Sequence, residues 1–219
     1  MKLIMYISYY GYTCFKIQSQ QKTTVITDVF DKSIGLRPPS PKADILTYSC
    51  AHFDCGNVAE KNNENQPIVI NSPGEYEISG IAIDGIPAKH GGKLQQESFD
   101  TALYVFRIDD MVLCHLGDLG QKELNEDQLE AVGEVDVLMV PVGGNYTVDY
   151  KSAAHIVNQI EPRVVIPMAY YLPGLKVKLD KIDLFFKEIG ISPKEKIDKL
   201  KMTKKDLPPE EMEVVEFKI

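Results

Sequence analysis

The chain has 219 residues, 44% of them hydrophobic, and its formal net charge at pH 7 is −8. That length is sufficient for one sizeable hydrophobic core, and the acidic balance argues against broad contact with nucleic-acid phosphates. No apolar run approaches the roughly 18–20 residues that a membrane-spanning helix needs, and the opening MKLIMYISYY lacks the cleavage site of a signal peptide. We therefore expect a cytoplasmic protein without a nucleic-acid or membrane partner.

Strand-type segments dominate the first part of the chain. They are short, rich in β-branched and aromatic residues, and separated by Gly, Pro, Asn and Asp. They are KLIMYISYY, TCFKIQS, TTVITDVF, DILTYS, PIVIN, YEISGIAIDGIPA, TALYVFRID and MVLCHLG. The segment RIDDMVL predicts a hairpin with Asp109 and Asp110 in its turn. Cys14 and Cys114 have apolar neighbours, so we expect two buried thiols.

Helices and buried strands alternate in the second part. NEDQLEAVG predicts a short helix that is capped by Asn125 and ended by Gly133. VDVLMVPV and RVVIPMAYY are apolar almost throughout, which is typical of strands buried on both faces. Residues 149–162 and the segment KLDKIDLFFKEIG have helical spacing of their apolar residues. The charged tail, 191–219, closes with the strand-like MEVVEFKI.

The order of these elements predicts a mixed α/β (α+β) fold in which sheets are covered on the outside by helices. Since no linker divides the chain, we expect a single domain, 1–219, with two αβ halves at roughly 1–115 and 116–219. In such folds the chemistry lies on loops that follow strand ends. The residues able to bind a metal at such places are Cys50, His52, Asp54 and Cys55 after DILTYS, His90 after IAIDGIPA, and Asp118 after MVLCHLG.

Seven motifs follow one another in a recognisable order: YYGYTCFKI, ITDVF, CAHFDC, GIPAKH, CHLGDLG, VDVLMVPVGGNYTVD and IPMAYY. This succession resembles the metallo-β-lactamase superfamily, and within it the lactonase-like Zn-dependent hydrolase branch. HLGDLG and PVGGNYTVD are the most specific pieces, and the resemblance covers about residues 1–180. It implies a four-layer αββα sandwich with a metal site along one edge of the two sheets.

The resemblance also implies two metal sites that share a bridging carboxylate. The ligands would be Cys50, His52 and His90 in the first site, Asp54 and Cys55 in the second, and Asp118 between them. Asp54 and Asp118 would be the catalytic residues, Asp54 because the family uses this position to hold the reacting water. The third ligand of the second site is a histidine in the family and Ala169 in this chain.

The changed ligands have different consequences. Zinc accepts thiolate, imidazole and carboxylate together, so Cys50, His52, His90 and Asp118 would be a legitimate set. A thiolate lowers the net charge on the metal, which weakens its ability to acidify a bound water. Ala169 offers no donor atom. We therefore expect zinc as the cofactor, one ion rather than two, with an impaired second site.

Two alternatives stay open at this stage. Cys50 and Cys55 are either metal ligands or inert replacements in the remnant of a site; a disulfide between them is disfavoured in a reducing cytoplasm. The protein is either a hydrolase of a small-molecule lactone, amide or phosphoester, or a catalytically inactive family member that acts as a binding or scaffold protein. A homo-oligomer is compatible with both. We expect Asp28 to orient a ligand imidazole, and His115 to be a core or supporting residue.

Overall fold

The computed structural model describes residues 3–40, 42–50, 66–91 and 99–219. Within these ranges the strands are β1 (Met5–Gly11), β2 (Cys14–Gln18), β3 (Thr24–Thr27), β4 (Ile45–Thr47), β5 (Ile68–Ile70), β6 (Gly74–Ile78), β7 (Ile81–His90), β8 (Phe99–Ile108), β9 (Met111–His115), β10 (Val137–Pro141), β11 (Val164–Met168), β12 (Lys196–Ile197), β13 (Leu200–Met202), β14 (Glu213–Val214) and β15 (Glu216–Phe217). One sheet has the order β13-β1-β2-β3-β4-β5, and a larger one has the order β14-β11-β10-β9-β8-β7-β6. β12 and β15 form a small separate pair.

β1, β10 and β11 have the burial patterns that their sequences predict, whereas the apolar Ile68 and Val69 of β5 are exposed. Buried and half-buried residues alternate along β1, whereas β10 and β11 are buried at every position. β9, β10, β11 and β14 run parallel, as continuous apolar strands usually do, and β6 to β9 run antiparallel. The predicted hairpin is confirmed: Ile108 pairs with Met111, and Asp109 and Asp110 both have positive φ, as a tight two-residue turn requires.

The described part of the chain contains α1 (Glu126–Val132), α2 (Tyr150–Ile160) and α3 (Asp183–Ile189). All three lie where the sequence predicts helices, and α1 has the predicted cap at Asn125 and the predicted end at Gly133. α1 packs against β7 and α2 against β10, both in the larger sheet, while α3 packs on α2. The predicted mixed α/β fold is therefore confirmed. None of these helices is long and apolar enough to cross a bilayer.

Two hydrophobic clusters hold the elements together. The larger one joins both sheets and the helices through residues such as Phe15, Tyr104 and Phe185. The smaller one surrounds Phe30 and includes Cys14 and Ala169. Cys14 and Cys114 are completely buried, which confirms the prediction of two packed thiols.

Four strands end near one another and define one rim of the molecule. Cys50 follows β4, His90 ends β7, Asp118 follows β9, and Ala169 follows β11. The main-chain amide of Ala102 on β8 donates to the carbonyl of Ser49 at 2.8 Å, which ties the two sheets together at this rim. The fold thus brings the described candidates Cys50, His90 and Asp118 to one rim, while His52, Asp54 and Cys55 lie outside the described residues.

Candidate metal site

Cys50 and Asp118 are in direct contact. The Cys50 thiol donates to Oδ2 of Asp118 with an Sγ to Oδ2 distance of 3.1 Å, and both side chains are buried. The two residues are 68 positions apart in the chain, so the contact exists only because β4 and β9 end at the same rim. A sulfur and a carboxylate oxygen therefore face each other where the sequence predicts a metal.

His90 is the third predicted ligand at this rim. Its Nδ1 lies 2.5 Å from the main-chain oxygen of Asp118, and its ring is buried. Metal-binding histidines usually donate their second ring N–H to a carbonyl or carboxylate, because this fixes the tautomer and the ring orientation. Nδ1 makes that contact here, so a metal bond of His90 would involve Nε2.

Ser49 anchors the segment that carries Cys50. Its amide and its hydroxyl donate to the two carboxylate oxygens of Asp28, at 2.7 and 2.9 Å. Its carbonyl accepts from Ala102 N and from the Thr101 hydroxyl, both at 2.8 Å. Ser49 is buried and packs closely on the backbone of Gly117, since a Cβ added at Gly117 would lie 2.3 Å from the Cβ of Ser49. Ser49 therefore fixes Cys50 against both sheets, a role that no pattern in the sequence indicates.

Asp28 is held by Ser49 among the described residues, and its predicted contact with a ligand imidazole stays a prediction because His52 lies outside them. Within the described ranges the imidazole nearest to its carboxylate is that of His115, whose Nδ1 lies 4.0 Å from Oδ2. Burial raises the pKa of the Asp28 carboxyl, although His115 and the bonds from Ser49 act in the opposite direction. Its φ of 41° lies in the left-handed region, which carries strain for a residue other than glycine.

His115 is fully buried behind the rim, as expected for a supporting histidine. Its Nε2 lies 2.9 Å from the carbonyl oxygen of Thr13, so the neutral ring carries its proton on Nε2 and donates to that oxygen. Burial lowers the pKa of His115 below its usual 6.5, while Asp28 acts in the opposite direction. His115 is consequently a buried neutral base.

This burial predicts a pH dependence of stability. Between the lowered pKa of folded His115 and the unfolded value of 6.5, the unfolded chain binds more protons, so stability falls as the pH drops through this window. The raised pKa of Asp28 has the opposite sign, with stability lost as pH rises above 3.8. Urea unfolding from about pH 7.5 to about pH 5 should show a smaller decline in His115→Gln than in the native chain. Equal declines in stability in the two chains would contradict the role of His115 in this pH dependence.

The position that would complete a second site is apolar. Ala169 is completely buried in the smaller hydrophobic cluster, its φ is 49°, and its amide donates to the carbonyl of Tyr12 at 2.7 Å. The methyl side chain of Ala169 has no donor atom and cannot bind a metal. The impaired second site predicted from the sequence remains a prediction, because its other residues, Asp54 and Cys55, lie outside the described residues.

A cavity of about 520 Å³ opens beside Cys50. Its lining includes Asn71 and Ser72 after β5, Pro87 and Lys89 of β7, and Thr101 of β8. Lys89 and Asp100, the charged residues in this lining, form an ion pair with each other. The described walls therefore present no net charge to a small molecule next to the cysteine.

Residues 6–169 of the chain match the beta-lactamase superfamily domain. This match covers most of the chain and ends at the alanine of the rim. The chain belongs to the β-lactamase superfamily. A solved structure from Thermotoga maritima, assigned to the Zn-dependent hydrolases of the metallo-β-lactamase superfamily, is 32% identical to it. That likeness covers 98% of this chain and all of the other, with a TM-score of 0.77. The predicted metallo-β-lactamase fold is thereby confirmed.

Two relatives of this β-lactamase superfamily chain have names that state a function. A Thermococcus onnurineus protein named a metal-dependent hydrolase is 25% identical over 75% of this chain and 84% of its own length. A Salinibacter ruber protein with the same name is 25% identical over 85% of this chain and 94% of its own length. Both similarities therefore extend well beyond the short segments that contain Cys50, His90 and Asp118.

The donor atoms at the rim of this β-lactamase superfamily chain fit a metal in part. The sulfur and oxygen ligands of a tetrahedral zinc ion, bonded at about 2.3 and 2.0 Å, are about 3.5 Å apart. The contact of Cys50 with Asp118 is close to that separation. Across the described ranges, no three His, Cys, Asp or Glu side chains are grouped to hold one ion. A closed site needs a further ligand, and the predicted ligand His52 lies outside those ranges.

Proposed function

We propose that this protein is a metal-dependent hydrolase whose rim binds one zinc ion with an altered ligand set. The ligands would be Cys50, His52, His90 and Asp118. The observation that carries the proposal is the contact of the Cys50 thiol with the Asp118 carboxylate at 3.1 Å. Membership of the β-lactamase superfamily and the names of the relatives support it.

In this proposal a bound zinc would polarise a carbonyl oxygen and supply hydroxide near neutral pH. The chain's own residues would prepare the site. Ser49, held by Asp28, fixes the cysteine, while the Asp118 carbonyl orients the His90 ring. Asp118 and Asp54 are the carboxylates that we assign to catalysis, with Asp54 holding the reacting water.

The substrate class follows from the cavity beside Cys50. A phosphoester carries negative charge and is best bound where cationic side chains are available. In the described lining Lys89 is paired with Asp100, and Pro87 contributes apolar surface. This charge balance favours a neutral small molecule, a lactone, an ester or an amide, over a phosphoester.

One observation favours the second candidate function, an inactive family member that acts as a binding or scaffold protein. The side chain of Ala169 is buried among apolar residues where the family has a metal-binding histidine. A site with fewer ligands holds its metal less firmly, and the thiolate of Cys50 would reduce the charge on it. A protein of this kind could keep the fold and lose the reaction.

Metal analysis after purification without added metal separates the two candidates. We expect about one zinc per native chain and hydrolysis of a neutral lactone or aryl ester. The variant Cys50→Ala should lose most of the zinc, since its donor is gone. Cys114→Ala is the control, because Cys114 is an equally buried thiol inside β9. Equal zinc in all three chains would exclude Cys50 as a ligand, and zinc without hydrolysis would favour the inactive candidate.

A further inference from the structure

In the part of the chain that the structure describes, no strand pairs with the last part of β7 on the side of β6, where His90 forms an isolated bridge with Leu119. β6 pairs with β7 only from Ile81 to Gly85, whereas β8 accompanies β7 as far as His90. The main-chain groups just before His90 therefore need hydrogen-bond partners other than a paired strand. Unsatisfied main-chain groups at a sheet edge destabilise the strand end, so other groups have to bind them.

Two glutamine side chains occupy this edge. Gln121 Oε1 accepts from the amide of Lys89 at 3.1 Å, and Gln128 Nε2 donates to the carbonyl of Pro87 at 2.8 Å. Gln121 follows the loop of Asp118, and Gln128 lies on α1, where it is buried. Side-chain amides thus provide the hydrogen bonds that a strand would otherwise provide.

The two amides also bind each other. Gln121 Nε2 donates to Gln128 Oε1 at 2.6 Å, and Gln128 Nε2 donates to Gln121 Oε1 at 3.2 Å. Their remaining sites are used as well: Gln121 Nε2 donates to the carbonyl of Glu123, and Gln128 Oε1 accepts from the amide of Asn125. A primary amide has two donor and two acceptor sites, and all of them are occupied in both residues. The pair therefore has no hydrogen-bonding capacity left for a ligand, although it borders the cavity beside Cys50.

The pair acts on the same strand end that carries His90. The Lys89 carbonyl accepts from the amide of Gly120 at 2.8 Å, so both main-chain groups of Lys89 are bound by the segment that follows Asp118. His90 comes next in the chain, and its Nδ1 contacts the Asp118 carbonyl oxygen. Loss of the amide pair would leave only the Gly120 to Lys89 bond and the His90–Leu119 bridge as main-chain ties described here, so β7 would be held less firmly relative to Asp118.

We propose that the Gln121–Gln128 amide pair is a positioning element that holds His90 against Asp118 and thereby sets the affinity and geometry of the metal site. The metal part of this proposal rests on the proposed function. Among the described residues, neither glutamine hydrogen-bonds to the side chain of a predicted ligand; the pair acts through the main chain of β7. Groups of this kind behind metal ligands change metal affinity by about 10- to 100-fold.

The test uses Gln121→Met, Gln128→Met and the double variant in the full chain. Methionine keeps the length of the side chain and removes the amide. Gln159→Met is the matched control. Gln159 on α2 also binds main-chain groups, the amide and carbonyl of Leu124 at 2.9 and 3.0 Å, and these groups do not belong to β7. The probes are hydrogen exchange of the Lys89 amide in the metal-free protein and Co²⁺ binding, followed by absorption.

We expect the Lys89 amide to exchange about fivefold faster in Gln121→Met and Gln128→Met than in the control. We also expect about tenfold weaker Co²⁺ binding with an altered spectrum. The double variant should be no worse than either single variant, because the pair acts as one unit. Lys89 exchange equal to that of Gln159→Met would overturn the positioning role. A native chain that binds no Co²⁺ would refute the proposed function and the metal part of the inference, while the exchange measurement would still decide whether the pair anchors the strand.

Discussion

Asp118→Ala is expected to abolish zinc binding, with an affinity loss of at least about 100-fold. Asp118 is buried. Its Oδ2 accepts a hydrogen bond from the Cys50 thiol, and its main-chain oxygen lies 2.5 Å from Nδ1 of His90. In the proposed ligand set it is the only anionic oxygen donor. Its removal would take away one metal bond and the carboxylate charge of the ligand set.

The matched control is Asp118→Asn. Asparagine keeps the shape and an oxygen that can accept from Cys50, but it lacks the charge. We therefore expect Asn to weaken zinc binding less than Ala does, with similar thermal stability in the two metal-free variants. The measurement is zinc titration against a competing chelator. Zinc affinity in Asp118→Ala within about threefold of the native value would rule out Asp118 as a ligand.

Gly120→Ala is expected to destabilise the whole rim, by at least about 3 kcal/mol, because the neighbouring backbone leaves no room for a side chain. A Cβ at Gly120 would lie 1.9 Å from the carbonyl oxygen of Gly91 and 2.1 Å from its nitrogen. Both obstacles are main-chain atoms, which cannot rotate away as a side chain could. The segment after Asp118 would have to separate from the strand end that carries His90, and the Gly120 to Lys89 hydrogen bond would break.

Gly80→Ala is the control for this variant. Gly80 lies in the turn before β7 with a φ of 76°, and an added Cβ would have no heavy atom within 4 Å. Its replacement should cost only the backbone strain of a left-handed alanine, about 1 kcal/mol. Thermal unfolding should show Gly120→Ala roughly 10 °C below the native chain, and Gly80→Ala much closer to it. A Gly120→Ala variant as stable as Gly80→Ala would show that the two segments can separate without penalty.

Predictions that depended on local pattern were confirmed. The helix from Glu126 to Val132 could be predicted because its cap, Asn125, directly precedes it in the sequence and its end, Gly133, directly follows it. The hairpin at Asp109 and Asp110 could be predicted because two adjacent polar residues between apolar strands favour the positive φ that the turn needs. The sequence therefore placed Cys50 and Asp118 correctly in loops after strand ends, whereas His90, expected in a loop, is the last residue of β7.

The sequence by itself determined most of the elements, the family and the candidate donors, because periodicity, caps and motif order are properties of neighbouring residues. It missed the turn that divides YEISGIAIDGIPA into β6 and β7 and the break between β14 and β15 in MEVVEFKI. Only the tertiary structure decided which groups meet. Asp28 binds Ser49, 21 residues away, and Asp118, which accepts from the Cys50 thiol, is 68 residues away from that cysteine. Likewise, Gln121 and Gln128 complete a sheet edge 30 or more residues upstream. Hydrogen bonds require partners within about 3 Å and well-aligned donors. Between distant segments that geometry is set by strand register and sheet packing, which no local pattern encodes.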